Sequence, residues 1–186
     1  MPVTRRAEAV PAKLSRELRR HIRDIPDFPT KGILFRDITP LLANSAAFSR
    51  AIDWLSRRYR GARKPDAIVA IESRGLIVGS ALAYAMGIGI VPVRKEGKLP
   101  HKTFRAAYSL EYGTNTLEIH CDALRRGAKV IIVDDLLATG GTVGATVRLV
   151  ERCGARVIEI ACLIELTALQ GREKLSPNPV TTLLQF

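Results

Sequence analysis

Two adjacent carboxylates stand between an apolar run and a loop of small residues in VIIVDDLLATGGT, residues 130–142. The β-branched residues before Asp134 and Asp135 predict that the pair comes at the end of a buried strand. Because the two negative charges repel each other, some other group must offset the cost of placing them together. Carboxylates in this position can accept hydrogen bonds from the hydroxyl groups of a sugar.

The small residues after the aspartates predict a loop that holds a phosphate group. Backbone N–H groups can turn toward an anion where no bulky side chain intervenes, and a helix that begins near Thr142 adds a favourable dipole. The loop lacks the lysine of a nucleoside triphosphate P-loop, which favours a phosphate monoester. A phosphate beside hydroxyl-binding carboxylates describes a ribose 5-phosphate. The residues predicted to bind the phosphate are Ala138, Thr139, Gly140, Gly141 and Thr142.

The elements that must position these residues alternate between strands and helices from Ala67 onward. The predicted strands are 67–71, 89–93, 129–133 and 156–166, the predicted helices are 76–86 and 141–154, and 109–120 predicts a hairpin that turns at 113–115. Strands that are apolar on both faces are typical of a mostly parallel sheet covered by helices. In such α/β folds, ligands bind beyond the carboxyl ends of the strands.

The N-terminal part of the chain follows a helical pattern. Leu14, Leu18, Ile22 and Ile25 predict an amphipathic helix over roughly 12–24 that ends before Pro26. A short extended piece at 33–35 and a helix from Ser45 follow. We expect one domain over 1–186, with a basic leader at 1–19.

The composition of the chain limits the class of protein but does not identify the ligand. The net charge of +11 suits either nucleic acid or a strongly anionic small substrate. No apolar run is as long as a membrane span, so we expect no membrane partner. Three cysteines without C-x-x-C spacing fit a reducing cytosol, which predicts a cytoplasmic protein.

The string at 130–142 resembles the phosphoribosyl diphosphate (PRPP) signature of type I phosphoribosyltransferases. Further segments, in order and spacing, are similar to the adenine phosphoribosyltransferase family over about residues 20–186. They are DFPTKGILFRDITPLL, IESRGLIVG, VRKEGKLP, YSLEYGTNTLEIHCDAL and CLIELTALQGREKL. Glu72, where the family often has aspartate, and Lys31 in the turn before Ile33 are mild departures.

The resemblance implies a reaction and a fold. The reaction transfers the 5-phosphoribosyl group from PRPP to N9 of adenine and gives AMP and pyrophosphate, with Mg²⁺ held mainly through PRPP and without a direct protein ligand. The implied fold is a type I phosphoribosyltransferase α/β domain with an N-terminal hood and a flexible lid loop, here 94–106. The family also suggests a homodimer.

The resemblance assigns the remaining site residues. Those implied to bind the phosphates of PRPP are Ser73 and Arg74, on the loop after strand 67–71, and Arg94, Lys95 and Lys98 in the lid. The Glu72–Ser73 peptide is expected to be cis. Phe35 is implied to stack on adenine opposite Leu136, with main-chain groups around Arg36 reading the edge of the base.

Catalytic roles follow from the same resemblance. Glu111 is implied to manage the proton on the adenine imidazole ring, and Tyr112 to help close the lid. Asp134 and Asp135 are expected to hold the ribose hydroxyls and to stabilise positive charge at C1′. Three other readings stay open: a phosphoribosyltransferase for another base, a PRPP-binding regulator of nucleic acid, and a basic interaction protein without catalysis. We expect no specific nucleic-acid complex, because one basic helix at the N-terminus is too little for a helix-turn-helix.

Overall fold

The computed structural model describes residues 9–61, 64–110 and 113–186. Their contacts divide into two compact units, one that ends at Arg58 and one from Tyr59 to Phe186. The expectation of a single domain over the whole chain stays a prediction. The elements of the first unit are α1 (Ala12–Arg19), β1 (Arg23–Pro26), β2 (Leu34–Asp37), α2 (Thr39–Ala43) and α3 (Ser45–Arg58).

The first helix is shorter than the apolar spacing predicted. It ends at Arg19, and Ile25 pairs instead with Phe35 in the antiparallel ladder between β1 and β2. An ion pair between the Arg23 guanidinium and the Asp37 carboxylate, at 2.6 Å, joins the outer ends of these strands. The prediction of a helix up to residue 24 is therefore wrong beyond Arg19, because cross-strand pairing competes with helical periodicity there.

The second unit contains a seven-stranded sheet in the order β5-β6-β4-β3-β7-β8-β9. Its strands are β3 (Ala67–Ile71), β4 (Gly89–Lys95), β5 (Thr103–Leu110), β6 (Gly113–His120), β7 (Lys129–Leu137), β8 (Arg156–Glu165) and β9 (Val180–Gln185). Strands β4, β3, β7, β8 and β9 run parallel, and β6 pairs antiparallel with β4 and β5. Helices α4 (Arg74–Met86) and α5 (Gly141–Arg152) pack against the sheet. The predicted α/β architecture with a mostly parallel sheet is confirmed.

Strand β7 supplies the central buried ladder and extends further than predicted. Ile131 and Ile132 are fully buried, as expected for a strand with neighbours on both sides. Pairing with β8 continues past the apolar run, through Asp134 opposite Cys162 and Leu136 opposite Ile164. The predicted end at residue 133 is wrong, and both aspartates belong to the strand itself.

The segment predicted as a lid loop is strand at both of its ends. Strand β4 runs to Lys95 and β5 begins at Thr103, so the connection is 96–102 rather than 94–106. Alternate residues of β5, among them Phe104, Ala106 and Tyr108, pack against the hydrophobic core, and this period-two pattern in a weakly apolar sequence marks the strand. The predicted hairpin turn at 113–115 is part of β6, and Glu111 and Tyr112 lie outside the described residues. Strand β9 was not predicted.

Helix α5 holds the edge strand of the sheet through two arginines. Arg148 donates to the Ala107 carbonyl and Arg152 to the Arg105 carbonyl, both at 2.7 Å. A four-residue step on a helix and a two-residue step on a strand both cover roughly 6–7 Å, so the two spacings match. The Arg152 guanidinium also lies 4.8 Å from the centre of the Phe104 ring. These bonds fix β5 relative to the helix that begins at the predicted phosphate loop.

No helix in the described part of the chain is both long enough and apolar enough to span a membrane.

Close packing of α4 on β3 generates a test of the fold. A Cβ on Gly79 would lie 2.5 Å from the Ala70 Cβ, so Gly79→Ala should lower the free energy of unfolding by about 1–3 kcal/mol. The matched control is Gly144→Ala in α5, where the nearest such atom is 3.8 Å away. Without a clash, the control should gain up to ~1 kcal/mol from helix propensity. Urea denaturation measures both, and equal effects would contradict this packing.

Candidate active site

A pocket of about 470 Å³ opens where β3 and β7 reach their carboxyl ends. Its lining residues are Glu72, Ser73, Arg74, Lys95, Lys98, Tyr108, Asp134, Asp135, Leu136, Ala138 and Thr142. All belong to the second unit, and nine of them are residues that the sequence assigned to a ligand site. Segments far apart in the chain therefore meet at the edge of the sheet where an α/β fold binds its ligands.

The two aspartates are buried side by side at the floor of this pocket. Asp134 is 8% exposed and Asp135 is 5% exposed. The Asp135 N–H donates to Asp134 Oδ1 at 2.9 Å, and Arg74 Nε lies 2.7 Å from Asp135 Oδ2. Burial, followed by the charge of Asp135, raises the pKa of Asp134 well above its ordinary value. The repulsion is thus relieved by one ion pair and by a tendency of Asp134 to hold a proton.

Arg74 reaches Asp135 from the start of helix α4. It is the first residue of this helix, so its predicted place on a loop is wrong. The next residue has to be glycine, because a Cβ at Gly75 would lie 2.7 Å from Asp134 Oδ1 and 3.0 Å from the Asp134 Cα. This close approach brings the helix N-terminus against β7.

The Glu72 carboxylate contacts three basic residues: Arg94, Lys95 and Lys98. It accepts from Arg94 Nε at 2.8 Å and from the Lys95 N–H at 3.0 Å, and it lies 3.1 Å from Lys98 Nζ. Burial works to raise the pKa of Glu72, but the hydrogen bonds from Lys95, Arg94 and Lys98 outweigh it and lower that pKa. The Glu72–Ser73 peptide is cis, which confirms that prediction. We call Arg74, Arg94 and Lys98 the cationic group.

The phosphate loop, residues 138–142, leads directly into α5. Gly140 has φ +80°, a left-handed conformation that favours glycine, and it precedes the first residue of the helix, Gly141. The N-cap residue of this helix is Gly140, which has no side chain to cap the helix N-terminus. Ala138 and Thr142 line the pocket. Uncapped N–H groups and a positive helix end at a pocket wall provide what an anion needs.

Other predicted residues lie elsewhere or cannot be placed. Phe35 and Arg36 belong to β2 of the first unit, where the Phe35 ring packs edge-on against Phe28 with centroids 5.1 Å apart and Arg36 pairs with Asp24. Their contact with a base stays a prediction. Glu111 and Tyr112 fall outside the described residues.

Two lining residues carry no predicted role from sequence reasoning. Tyr108 lines the pocket because of the alternation of β5, a strand whose first residues, 103–106, were predicted to be part of a loop. Glu72 was noted only as a departure from the family, although an acid between a buried strand and an arginine is a signal for an ion-pair network.

Comparisons with known proteins match this geometry. The sequence profile of the phosphoribosyl transferase domain matches residues 37–183. The chain is 58% identical to adenine phosphoribosyltransferase from Roseiflexus sp. (strain RS-1), over 89% of this chain and 95% of that protein. The chain therefore belongs to the adenine phosphoribosyltransferases, within the phosphoribosyl transferase family.

Solved structures give the same result. The crystal structure of adenine phosphoribosyltransferase from Thermoanaerobacter pseudethanolicus is 52% identical and superimposes with a TM-score of 0.89, covering 92% of this chain and 99% of that one. The Saccharomyces cerevisiae enzyme, complexed with adenine and an imino-altritol bisphosphate, is 44% identical with a TM-score of 0.88, covering 94% of this chain and all of that one. The predicted type I phosphoribosyltransferase fold is confirmed.

Burial of Asp134 makes the stability of the protein depend on pH. A carboxyl whose pKa is raised on folding makes the folded state less stable as the pH rises from the unfolded pKa, near 3.8, toward the folded one. Asp134→Asn removes this penalty and keeps an acceptor for the Asp135 N–H. The variant should therefore gain free energy of unfolding over wild type as the pH rises above ~4, with the gain vanishing below it. Urea denaturation between pH 3.5 and 8 measures this, and a gain independent of pH would contradict it.

Proposed function

We propose that the protein transfers the 5-phosphoribosyl group of PRPP to N9 of adenine, with AMP and pyrophosphate as products. The observation that carries this proposal is the pairing of buried Asp134 and Asp135 with two separate anion sites in one pocket. PRPP has the matching chemistry: a 5-phosphate, a pair of ribose hydroxyls and a diphosphate at C1′.

The phosphate loop suits the 5-phosphate. Its small residues leave the N–H groups at the start of α5 open to the pocket, and the Thr142 hydroxyl can donate as well. A phosphate monoester needs no lysine here, since the helix end and several N–H groups share its charge.

The cationic group suits the diphosphate. Arg74 and Lys98 line the pocket, and Arg94 is joined to Lys98 through Glu72. Arg74, which is ion-paired with Asp135, has a guanidinium group that can donate two parallel hydrogen bonds to phosphate oxygens. Lys95 lines the pocket and directs its N–H to Glu72. The pyrophosphate that leaves C1′ would thus remain bound among fixed positive charges.

The aspartates face the reacting carbon in this arrangement. Their oxygens accept hydrogen bonds from the ribose hydroxyls, and their negative charge stabilises the positive charge that develops at C1′ as the diphosphate leaves. A pair of buried acids is costly in the free protein and useful only when a cationic centre forms beside it.

We expect Mg²⁺ to bind in the pocket together with PRPP. Mg²⁺ prefers oxygen ligands, and the pocket offers the carboxylates of Asp134 and Asp135, the latter paired with Arg74. In the described part of the chain, no group of three His, Cys, Asp or Glu could hold a metal ion. We infer that PRPP oxygens provide most of its ligands. When bound, Mg²⁺ would neutralise charge on the pyrophosphate leaving group.

The proposal that adenine is the acceptor base is supported more by the relatives than by the contacts in the pocket. Leu136 is the adenine candidate that lines the pocket, and we propose that Phe35 stacks on the base and that main-chain groups around Arg36 read its edge. A carbonyl that accepts from a 6-amino group offers nothing to a 6-oxo group, which would select adenine over hypoxanthine. The yeast relative binds adenine.

Glu111 is the proposed proton carrier and Tyr112 an aid to closing the site. Both come directly after β5, the strand that brings Tyr108 into the pocket and that Arg148 holds at Ala107. We further propose a cytoplasmic homodimer, in line with the resemblance to the family.

Offering each purine base in turn tests the function. With PRPP and Mg²⁺, adenine should yield AMP and pyrophosphate, whereas hypoxanthine and guanine should react at least ~100-fold more slowly, because their 6-oxo group lacks the donor that a carbonyl requires. Product formation is followed by absorbance and chromatography. Faster reaction with a 6-oxopurine would favour a different base, and no reaction with any base would favour a binding protein.

The role of Glu111 is tested by Glu111→Gln. The amide keeps the shape but cannot exchange a proton, so turnover should fall by about 10²–10⁴. Affinity for PRPP, measured by calorimetry, should scarcely change, since the phosphate loop and the cationic group stay intact.

Losing turnover and PRPP affinity together would mean that Glu111 only supports the structure of the site. Unaltered turnover would remove it from the mechanism.

A further inference from the structure

The C-terminal segment, residues 166–172, lies directly behind the phosphate loop. The Leu166 N–H donates to the Leu137 carbonyl at 2.9 Å, immediately before the loop. At the other end of the segment, buried Gly171 faces the loop backbone. A Cβ on Gly171 would lie 2.0 Å from the Ala138 carbonyl oxygen and 2.8 Å from the Gly140 nitrogen.

The contact is reciprocal. A Cβ on Gly140 would lie 2.6 Å from the Gly171 carbonyl oxygen. The two backbones therefore meet without room for a side chain on either one. Gly171 has no special backbone conformation that demands glycine, so space alone excludes larger residues there.

An ion pair between half-buried Arg172 and the buried carboxylate of Glu165 holds Gly171 in this place. Its neighbour Arg172 directs Nε to Glu165 Oε1 at 2.9 Å and Nη2 to Glu165 Oε2, and it donates to the Val180 carbonyl at 2.6 Å. Glu165 also accepts from the Thr182 hydroxyl at 2.9 Å. The hydrogen bonds from Arg172 lower the pKa of Glu165 despite its burial. The segment is thus bonded to β8 and β9, both parts of the central sheet.

We propose that Gly171, fixed by the Glu165–Arg172 pair, is a positioning residue that sets the phosphate loop for the 5-phosphate of PRPP and AMP. This inference rests on the proposed function. The loop has no side-chain cap of its own, so its N–H groups keep their direction because the backbone of Gly171 supports them from behind. The cationic group lies on other elements and does not depend on this support.

This separation distinguishes positioning from general stability. A purely structural role would lower the melting temperature and weaken all ligands alike. A positioning role weakens ligands that carry the 5-phosphate and spares pyrophosphate, which the cationic group binds.

The experiment compares Gly171→Ala with Gly144→Ala, a control with room for the added methyl group. Calorimetry measures AMP and pyrophosphate separately on each folded variant. Gly171→Ala should weaken AMP by about 10- to 100-fold, because a displacement of ~1 Å at a binding group costs that much. Pyrophosphate affinity should stay within about threefold, and the control should bind both ligands like wild type.

If Gly171→Ala does not fold, Arg172→Lys tests the same point with a smaller change. Lysine keeps the charge but loses the planar pair of donors to Glu165, so AMP should weaken more than pyrophosphate. Wild-type AMP affinity in folded Gly171→Ala, or equal losses for both ligands in either variant, would overturn the inference. A wild-type protein that binds neither ligand would overturn the proposed function and the inference with it.

Discussion

Repulsion between Asp134 and Asp135 is the constraint around which the pocket is arranged. Both carboxylates are nearly buried in strand β7, directly after the buried apolar residues 130–133, where water screens little charge. Three features offset the cost: the Arg74 ion pair, the Asp135 N–H bond, and the raised pKa of Asp134. Gly75 lets the helix that carries Arg74 come close enough. The free protein thus keeps an arrangement whose benefit comes when a positive centre forms in front of it.

The cationic group is arranged on the same principle: each positive charge is offset by a nearby carboxylate. Arg94 and Lys98 share the buried carboxylate of Glu72, and Arg74 shares that of Asp135. An anionic ligand therefore does not meet isolated cations; it competes with internal carboxylates for guanidinium and ammonium groups whose positions are already set. Such preorganisation reduces the entropy that the site loses on binding, at the expense of some electrostatic attraction.

Much of this arrangement can be predicted from the sequence, because it depends on local patterns. The apolar run before Asp134, the small residues of the phosphate loop and the alternation of strands with helices fix the sheet and its ligand edge. Where prediction failed, long-range pairing was decisive. Pairing with β8 extends β7 through the aspartates, and core packing turns 103–106 into strand. The closeness of Gly171 to the phosphate loop has no local signal, since it joins segments about thirty residues apart in the sequence.

The most direct test of the account is the turnover of Asp134→Asn with adenine and PRPP, measured beside PRPP affinity on the same preparation. The account predicts that turnover falls by about 10²–10³, because a carboxyl group that can ionise as positive charge develops at the reacting carbon is replaced by an amide that cannot, while PRPP affinity changes only a few-fold. A folded variant with wild-type turnover would contradict the claim that the buried aspartates serve the cationic ribosyl centre.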